Sequence, residues 1–189
     1  MKAVAVIVFA LVASTAFAQI PAGQKVGLVN YLKAGYGGMK VNITAAAEKM
    51  PEANYGFKPG TMPEVRTYGQ IFAHIAAGHF GMCAALKGVP NPVQARDFER
   101  ELKTKAEFVK ALADSFTFCD DAVAALTDTN AADLVPQGKG EVARAAVITG
   151  LIAHNAEMYG ISTVYLRAKN IVPPSTEAQM NRRAQPQAK

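Results

Sequence analysis

The sequence contains no tryptophan, only two cysteines and only three histidines among its 189 residues. After the N-terminal segment, no run reaches the roughly 18 uninterrupted apolar residues that a membrane-spanning helix needs. No segment alternates polar and apolar residues convincingly, as a half-buried strand would. The spacing of Cys83 and Cys119 fits neither a CxxC redox motif nor a common zinc motif. These absences predict a helical protein without thiol catalysis and without a membrane span beyond its N-terminal segment.

Positive charge is present, but it is not concentrated on one segment. The formal net charge is +5, and the one basic doublet is Arg182–Arg183 near the C-terminus. A nucleic-acid-binding protein is expected to carry a clustered basic face, preferably with aromatic side chains for stacking. The sequence shows neither feature, so it predicts no nucleic-acid partner.

The first 18 residues have the pattern of a secretory signal peptide. Lys2 precedes the apolar run 4–12, and Ala16-Phe17-Ala18 fits a small-x-small cleavage site before Gln19. We therefore expect an exported protein, periplasmic or secreted, with residues 1–18 removed. Loss of Lys2 lowers the formal charge from +5 to +4. A retained N-terminal anchor is the alternative.

Apolar residues recur with helical spacing through the rest of the chain, and turn-forming residues divide it into four long segments. The predicted helices span residues 26–50, 66–86, 104–126 and 145–171. Pro51 ends the first, Gly88 suits the C-terminal cap of the second, and Thr104 to Glu107 forms a capping-box pattern before the third.

Four amphipathic helices of this length bury one another best as a bundle. We predict an all-α fold of the up-down four-helix-bundle type, with a single domain over residues 25–173 and long loops. The loop around Tyr55 and Phe57 is expected to fold back on one end of the bundle. Residues 174–189 are polar, lack apolar periodicity and are predicted to be a disordered tail.

The two cysteines allow two interpretations. In an oxidising compartment an even pair permits one disulfide. Each cysteine also lies among apolar helical neighbours, where a reduced cysteine packs as a small hydrophobic residue. The sequence leaves both states open.

The fourth helix places one histidine in the middle of an apolar stripe. His154 shares this stripe with residues that follow at alternating steps of three and four: Val147, Leu151, Met158, Ile161 and Tyr165. Burying an imidazole without a partner is costly, so it needs a hydrogen-bond partner, a metal or a water-lined cavity. The ordinary interpretation is a satisfied core histidine.

The other two histidines lie on the second helix and point in different directions. His74 is on a flank of small residues that includes Gly78 and Gly81, which leaves room for a ligand or for a neighbouring helix. His79 lies about 140° away around the helix axis. The two side chains therefore cannot easily serve one site.

Longer segments resemble a known family. The segment RTYGQIFAHIAAGHFGMCAALKG and the later AHNAEMYGISTVYLRAKNIVPPS are similar to the DinB-like superfamily, also described as DinB/YfiT-like metalloenzymes. Supporting pieces are EKMPEANYGFKP with EVR before the second helix, and SFTFCDDAVAAL in the third. The resemblance covers residues 26–175 in the right order.

This resemblance implies a four-helix bundle, commonly a homodimer, with a divalent metal held by three histidines. One comes from the second helix and two form an HxxxH pair on the fourth. His74 matches the first ligand and His154 the second, whereas Met158 stands where the third histidine is expected. The metal implied is zinc or nickel, which prefer imidazole, carboxylate or thiolate ligands. Copper would suit a thioether better, Glu157 is a possible substitute ligand, and the altered triad also allows no metal at all.

Two functions follow from the resemblance. The first is an exported DinB-like protein with a degenerate metal site and little or no catalysis, whose bundle pocket is packed or holds a small apolar molecule. The second is a metal-dependent thiol transferase or hydrolase that uses His74 and His154 to activate a thiol or water. The deciding feature is whether the two histidines converge beside a cavity that reaches solvent.

Overall fold

The computed structural model describes residues 23–184, so the predicted signal peptide lies outside the described part of the chain. The described residues form six α-helices, one short 3₁₀ helix at Glu52–Asn54 after the first α-helix, and one hairpin of two strands. In chain order the elements are α1 (Leu28–Lys49), α2 (Tyr68–Lys87), α3 (Phe98–Glu101), α4 (Lys105–Ala124), β1 (Leu134–Gln137), β2 (Gly140–Ala143), α5 (Arg144–Ala168) and α6 (Pro174–Ala184).

The four long helices α1, α2, α4 and α5 pack side by side around one apolar core. Helix α2 contacts both α4 and α5, and α1 contacts the same two helices from the opposite corner. The core contains fully buried aliphatic residues from all four of these helices, including Ile43, Ile75, Leu112 and Leu151. The predicted all-α fold is confirmed. Between residues 23 and 184, no helix is both long and apolar enough to span a bilayer.

Side-chain caps fix where α2 and α4 begin. Thr67 accepts a hydrogen bond from the backbone of Gln70, whose side chain in turn accepts one from the backbone of Thr67. Thr104 and Glu107 form the same reciprocal pair at the start of α4, as their sequence pattern predicted. Gly88 ends α2 with a left-handed backbone (φ 66°), as the sequence also indicated.

An aromatic cluster closes one end of the bundle. Tyr55 is 3% exposed, and its ring lies 5.5 Å from Tyr68 and 5.8 Å from Phe108 between centroids. Gly69 permits this packing, because a Cβ there would lie 2.4 Å from the Phe108 ring. Phe57 packs on Tyr165 nearby. The loop folds back on the bundle as predicted, but Tyr55 is part of the core rather than the wall of an open pocket.

The connection before α5 differs from the predicted loop. Residues 134–143 form an antiparallel hairpin in which Gln137 pairs with Gly140. Gly138 has φ 61°, a conformation that glycine adopts without strain and that tight hairpin turns require. Each strand has only four residues, too few for an alternating pattern to be recognised in the sequence.

The C-terminal segment also requires a correction. A disordered tail was predicted from residue 174, but Pro174–Ala184 form α6. The Tyr159 hydroxyl donates to Ser175 Oγ at 2.8 Å, and Lys49 Nζ lies 2.7 Å from a carboxylate oxygen of Glu177. Polar contacts therefore hold this helix, which buries no residue of its own. Helix α6 therefore has no buried apolar face that could be recognised in the sequence.

Cys83 of α2 and Cys119 of α4 form a disulfide, with their Cα atoms 5.3 Å apart. Both residues are fully buried in the bundle core. The bond links two neighbouring helices across a separation of 36 residues. Of the two states that the sequence left open, the structure contains the bonded one.

Candidate functional site

The structure brings His74 and His154 together, although 80 residues of chain separate them. Their ring centroids lie 5.1 Å apart, with the planes inclined by 50°. Two imidazoles bound to one tetrahedral metal at about 2.1 Å have centroids about 5 Å apart. The spacing of this pair therefore suits two histidines that share one small ligand or ion.

Glu99 of the short helix α3 fixes the orientation of His74. Its Oε1 lies 3.0 Å from His74 Nδ1, and its Oε2 accepts a 3.0 Å hydrogen bond from Arg66 Nε. An ionised carboxylate only accepts, so His74 donates through Nδ1 and its Nε2 remains available. Carboxylates hold metal-binding histidines in this manner. No sequence pattern identified Glu99 as a site residue, because a four-residue helix gives no periodic signal.

His154 lacks the corresponding support. Its Nδ1 is buried and has no hydrogen-bond partner among the described residues. Burial lowers the pKa of His154, and the neighbouring His74 lowers it further, while Glu157 acts in the opposite direction. The ring is therefore neutral at pH 7, with one buried nitrogen left without a partner.

Met158 occupies the position one helical turn beyond His154, as the sequence predicted, but it lines a different cavity. Its side chain is 6% exposed and borders a cavity of about 210 Å³, together with Arg66, Ile71 and Tyr165. His154 borders a separate cavity of about 430 Å³. A neutral thioether is also a poor ligand for zinc or nickel.

The donor set does not fit a three-ligand divalent-metal site. Within residues 23–184, no three His, Cys, Asp or Glu side chains are grouped so that they could hold a metal ion. Glu157, the substitute ligand considered from the sequence, is exposed. Both oxygens of Glu99 are already engaged by Arg66 and His74. Two imidazoles are in place, and the third ligand is missing from the described residues.

His79 belongs to a separate, fully buried network. Its Nε2 lies 2.7 Å from Asn155 Oδ1 and its Nδ1 lies 3.0 Å from Ser115 Oγ. The Nε2–H of the neutral ring donates to Asn155 Oδ1, and Ser115 Oγ donates its single proton to the carbonyl oxygen of Leu112 at 2.8 Å. Desolvation lowers the pKa of His79 to about 4. His74 lies beside His154 and Glu99, whereas His79 contacts Ser115 and Asn155, so the two histidines belong to different sites, as their angular separation on α2 predicted.

The buried face of α5 is rotated relative to the predicted stripe. Asn155 and Ser162 are fully buried, whereas Ile161 is 39% exposed. Apolar spacing alone could not identify two polar core positions.

Comparisons with known proteins agree on the fold. The family model described as the DinB superfamily matches residues 40–161, a range that includes His74, His154 and Met158. A solved structure of a DinB-like protein from Bacillus cereus ATCC 10987 is similar, with a TM-score of 0.62 and 12% sequence identity. The similarity covers 76% of this chain and 93% of that one. At this identity the likeness concerns the fold alone. No curated protein matches the chain.

Proposed function

This chain belongs to the DinB superfamily, and we propose that it is a member whose metal site has degenerated. In this proposal the chain binds a divalent metal weakly and has little or no catalytic activity. The supporting observation is that residues 23–184 contain no group of three metal-ligating side chains, and position 158 holds a buried thioether rather than an imidazole.

The missing ligand has a large expected effect on affinity. Structural zinc sites bind with about 10–16 kcal/mol from four ligands, or about 3 kcal/mol for each ligand. Loss of one ligand therefore weakens binding by about 100-fold. His74 and His154 would be the remaining ligands, with zinc or nickel as the metals that imidazole suits. Copper is the soft-ligand alternative, and it would need Met158 to turn toward the two rings.

The second candidate is a metal-dependent thiol transferase or hydrolase. It is favoured by the 5.1 Å spacing of the rings and by the carboxylate of Glu99 behind His74. When bound, the metal would lower the pKa of a thiol or water. This candidate needs a third ligand from solvent or substrate, since the described residues do not provide one. We therefore place it second.

Export is part of the proposal. The buried disulfide between Cys83 and Cys119 supports an oxidising compartment, since cytosolic proteins seldom keep such bonds. Periplasmic or secreted location, removal of residues 1–18 and formation of a homodimer stay predictions.

The test restores the missing ligand. In Met158→His, an HxxxH pair on one face of α5 would join His74, and zinc or nickel affinity measured calorimetrically should rise by about 100-fold. Met158→Leu is the matched control, because it keeps an apolar side chain of similar volume and should leave affinity unchanged. His154→Ala should remove the residual binding of the parent.

Two outcomes would count against the proposal. One is a parent protein that already binds metal as tightly as Met158→His, which would mean that the third ligand is in place. The other is a well-folded Met158→His variant without improved affinity, which would mean that the site did not lose its third ligand at position 158.

A further inference from the structure

The exposed side of α5 differs from that of an ordinary surface helix, because it carries very little charge. Eleven residues of α5 are exposed, and Glu157 and Arg167 are the two charged residues among them. On α4, by contrast, four of the eight exposed residues are charged. The solvent face of a helix normally carries charged and polar side chains. An exposed face that is mostly apolar or uncharged indicates a surface that another protein covers.

Apolar side chains form the centre of this face. Val164 is 57% exposed and Ile161 is 39% exposed. With about 100° of rotation per residue, both lie on the same side of α5 as Glu157 and Gly160. Gly160 leaves a depression beside them, since a Cβ added there would meet nothing within 4 Å. A side chain from a second helix can pack into such a depression.

The two charged residues of this face have no ion-pair partner within the described chain. None of the ion pairs between residues 23 and 184 includes Glu157 or Arg167. Arg167 donates to the carbonyl oxygen of Thr163 and to Thr176 Oγ1, which are both uncharged acceptors. Glu157 and Arg167 lie about 15 Å apart along the helix axis, so they cannot pair with each other.

A second copy of α5 that runs in the opposite direction would match both charges. When Gly160 of one copy faces Val164 of the other, Glu157 faces Arg167 of the second copy, because the two pairs have the same midpoint in the sequence. A two-fold axis repeats each contact, so two ion pairs would flank the apolar centre. A parallel two-fold arrangement would instead place Glu157 beside Glu157 and Arg167 beside Arg167, and like charges repel.

We propose that the exposed face of α5 binds a second copy of this chain in antiparallel orientation, with Glu157 of each copy paired to Arg167 of the other. The inference deepens the homodimer prediction that accompanies the proposed function, since it names the face and the register of the contact. It uses no residue of the candidate metal site. A failure of this interface is therefore distinguishable from a failure of the metal proposal.

The test measures the dissociation constant of the dimer by sedimentation equilibrium, with a metal chelator present throughout. Glu157→Arg and Arg167→Glu should each weaken the dimer at least about tenfold, because each substitution converts two attractive pairs into two repulsive ones. The double variant Glu157→Arg/Arg167→Glu restores opposite charges across the antiparallel contact, so its dissociation constant should return to within about threefold of the parent value. Glu141→Arg, on the exposed strand β2, is the matched charge control and should dimerise like the parent.

Gly160→Leu tests the apolar centre of the face. Leucine there would fill the depression that Val164 of the second copy needs, and it should weaken the dimer at least about tenfold. Gly37→Leu is the control, because Gly37 lies on α1 and an added Cβ there also meets nothing within 4 Å. Both substitutions replace a helical glycine with a better helix former, so circular dichroism should show two folded proteins.

Three results would overturn the proposal. They are a parent protein that stays monomeric at every concentration, an unchanged dimer in a folded Gly160→Leu variant, and a double charge variant that dimerises as weakly as the single variants. The first two would show that the exposed face of α5 is not an interface. The third would show that the two helices do not pair in the antiparallel register.

Discussion

Nδ1 of His74 lies 3.0 Å from Oε1 of Glu99, and this pairing determines which nitrogen of the ring stays free. The same carboxylate is held on its other oxygen by Arg66. His74 is therefore oriented by a charged partner, whereas Nδ1 of His154 has none within the described chain. The two candidate ligands are unequal: a carboxylate orients the ring of His74, and the ring of His154 has a buried nitrogen without a partner.

The role of Glu99 can be measured once the third ligand is restored. In a Met158→His background, Glu99→Gln should lower zinc or nickel affinity by about 10- to 100-fold, because a neutral amide supports His74 less well than a carboxylate. Glu141→Gln, on the exposed strand β2, is the matched control and should have no effect. Equal affinities for Glu99→Gln and Glu141→Gln would show that Glu99 does not act through His74.

His79 predicts a loss of stability in mild acid. Its pKa is about 4 in the folded protein against 6.5 for an ordinary histidine. Between these values the unfolded chain binds a proton that the native protein excludes. The free energy of unfolding should therefore fall as pH drops from about 6.5 to 4, by up to about 3 kcal/mol. Above pH 6.5 this contribution should be constant.

Urea unfolding across this pH range, compared with His79→Gln, measures the effect. The variant should be less stable near neutrality, because the buried hydrogen bonds of His79 to Ser115 and Asn155 are disturbed. It should lack the part of the pH dependence that comes from His79. A direct NMR titration in which His79 protonates near pH 6.5 would contradict the prediction, as would equal pH slopes for the two proteins.

The disulfide predicts a large contribution to stability. Cys83 and Cys119 are 36 residues apart in the sequence. A crosslink over this separation lowers the conformational entropy of the unfolded chain, which stabilises the folded protein by about 4 kcal/mol. The double variant Cys83→Ala/Cys119→Ala should lower the free energy of unfolding by a similar amount in urea denaturation.

A thiol assay provides the check on this bond. The denatured, unreduced protein should show no free thiol, and two should appear after reduction. Because both cysteines are fully buried, reduction of the native protein should be much slower than reduction in denaturant. Two reactive thiols in the unreduced protein would contradict the bonded state.

Most of the bundle could be predicted from the sequence, because long helices repeat their pattern over many turns. The apolar spacing, the capping box at Thr104, Pro51 and Gly88 each carry a local signal. The elements that the sequence did not predict are short or polar. The hairpin at residues 134–143 is too short for periodicity, and α6 is held by polar contacts rather than by a buried face.

The site divides in the same way. The sequence by itself determined that His154 lies one turn from Met158 on one helix, because that relationship depends only on helical geometry. Only the tertiary structure decided that His74 meets His154, that Glu99 reaches His74, and that His154 and Met158 border different cavities. These relationships join α2, α3 and α5, and the packing of separate helices depends on all of their side chains at once. No local sequence pattern encodes this packing.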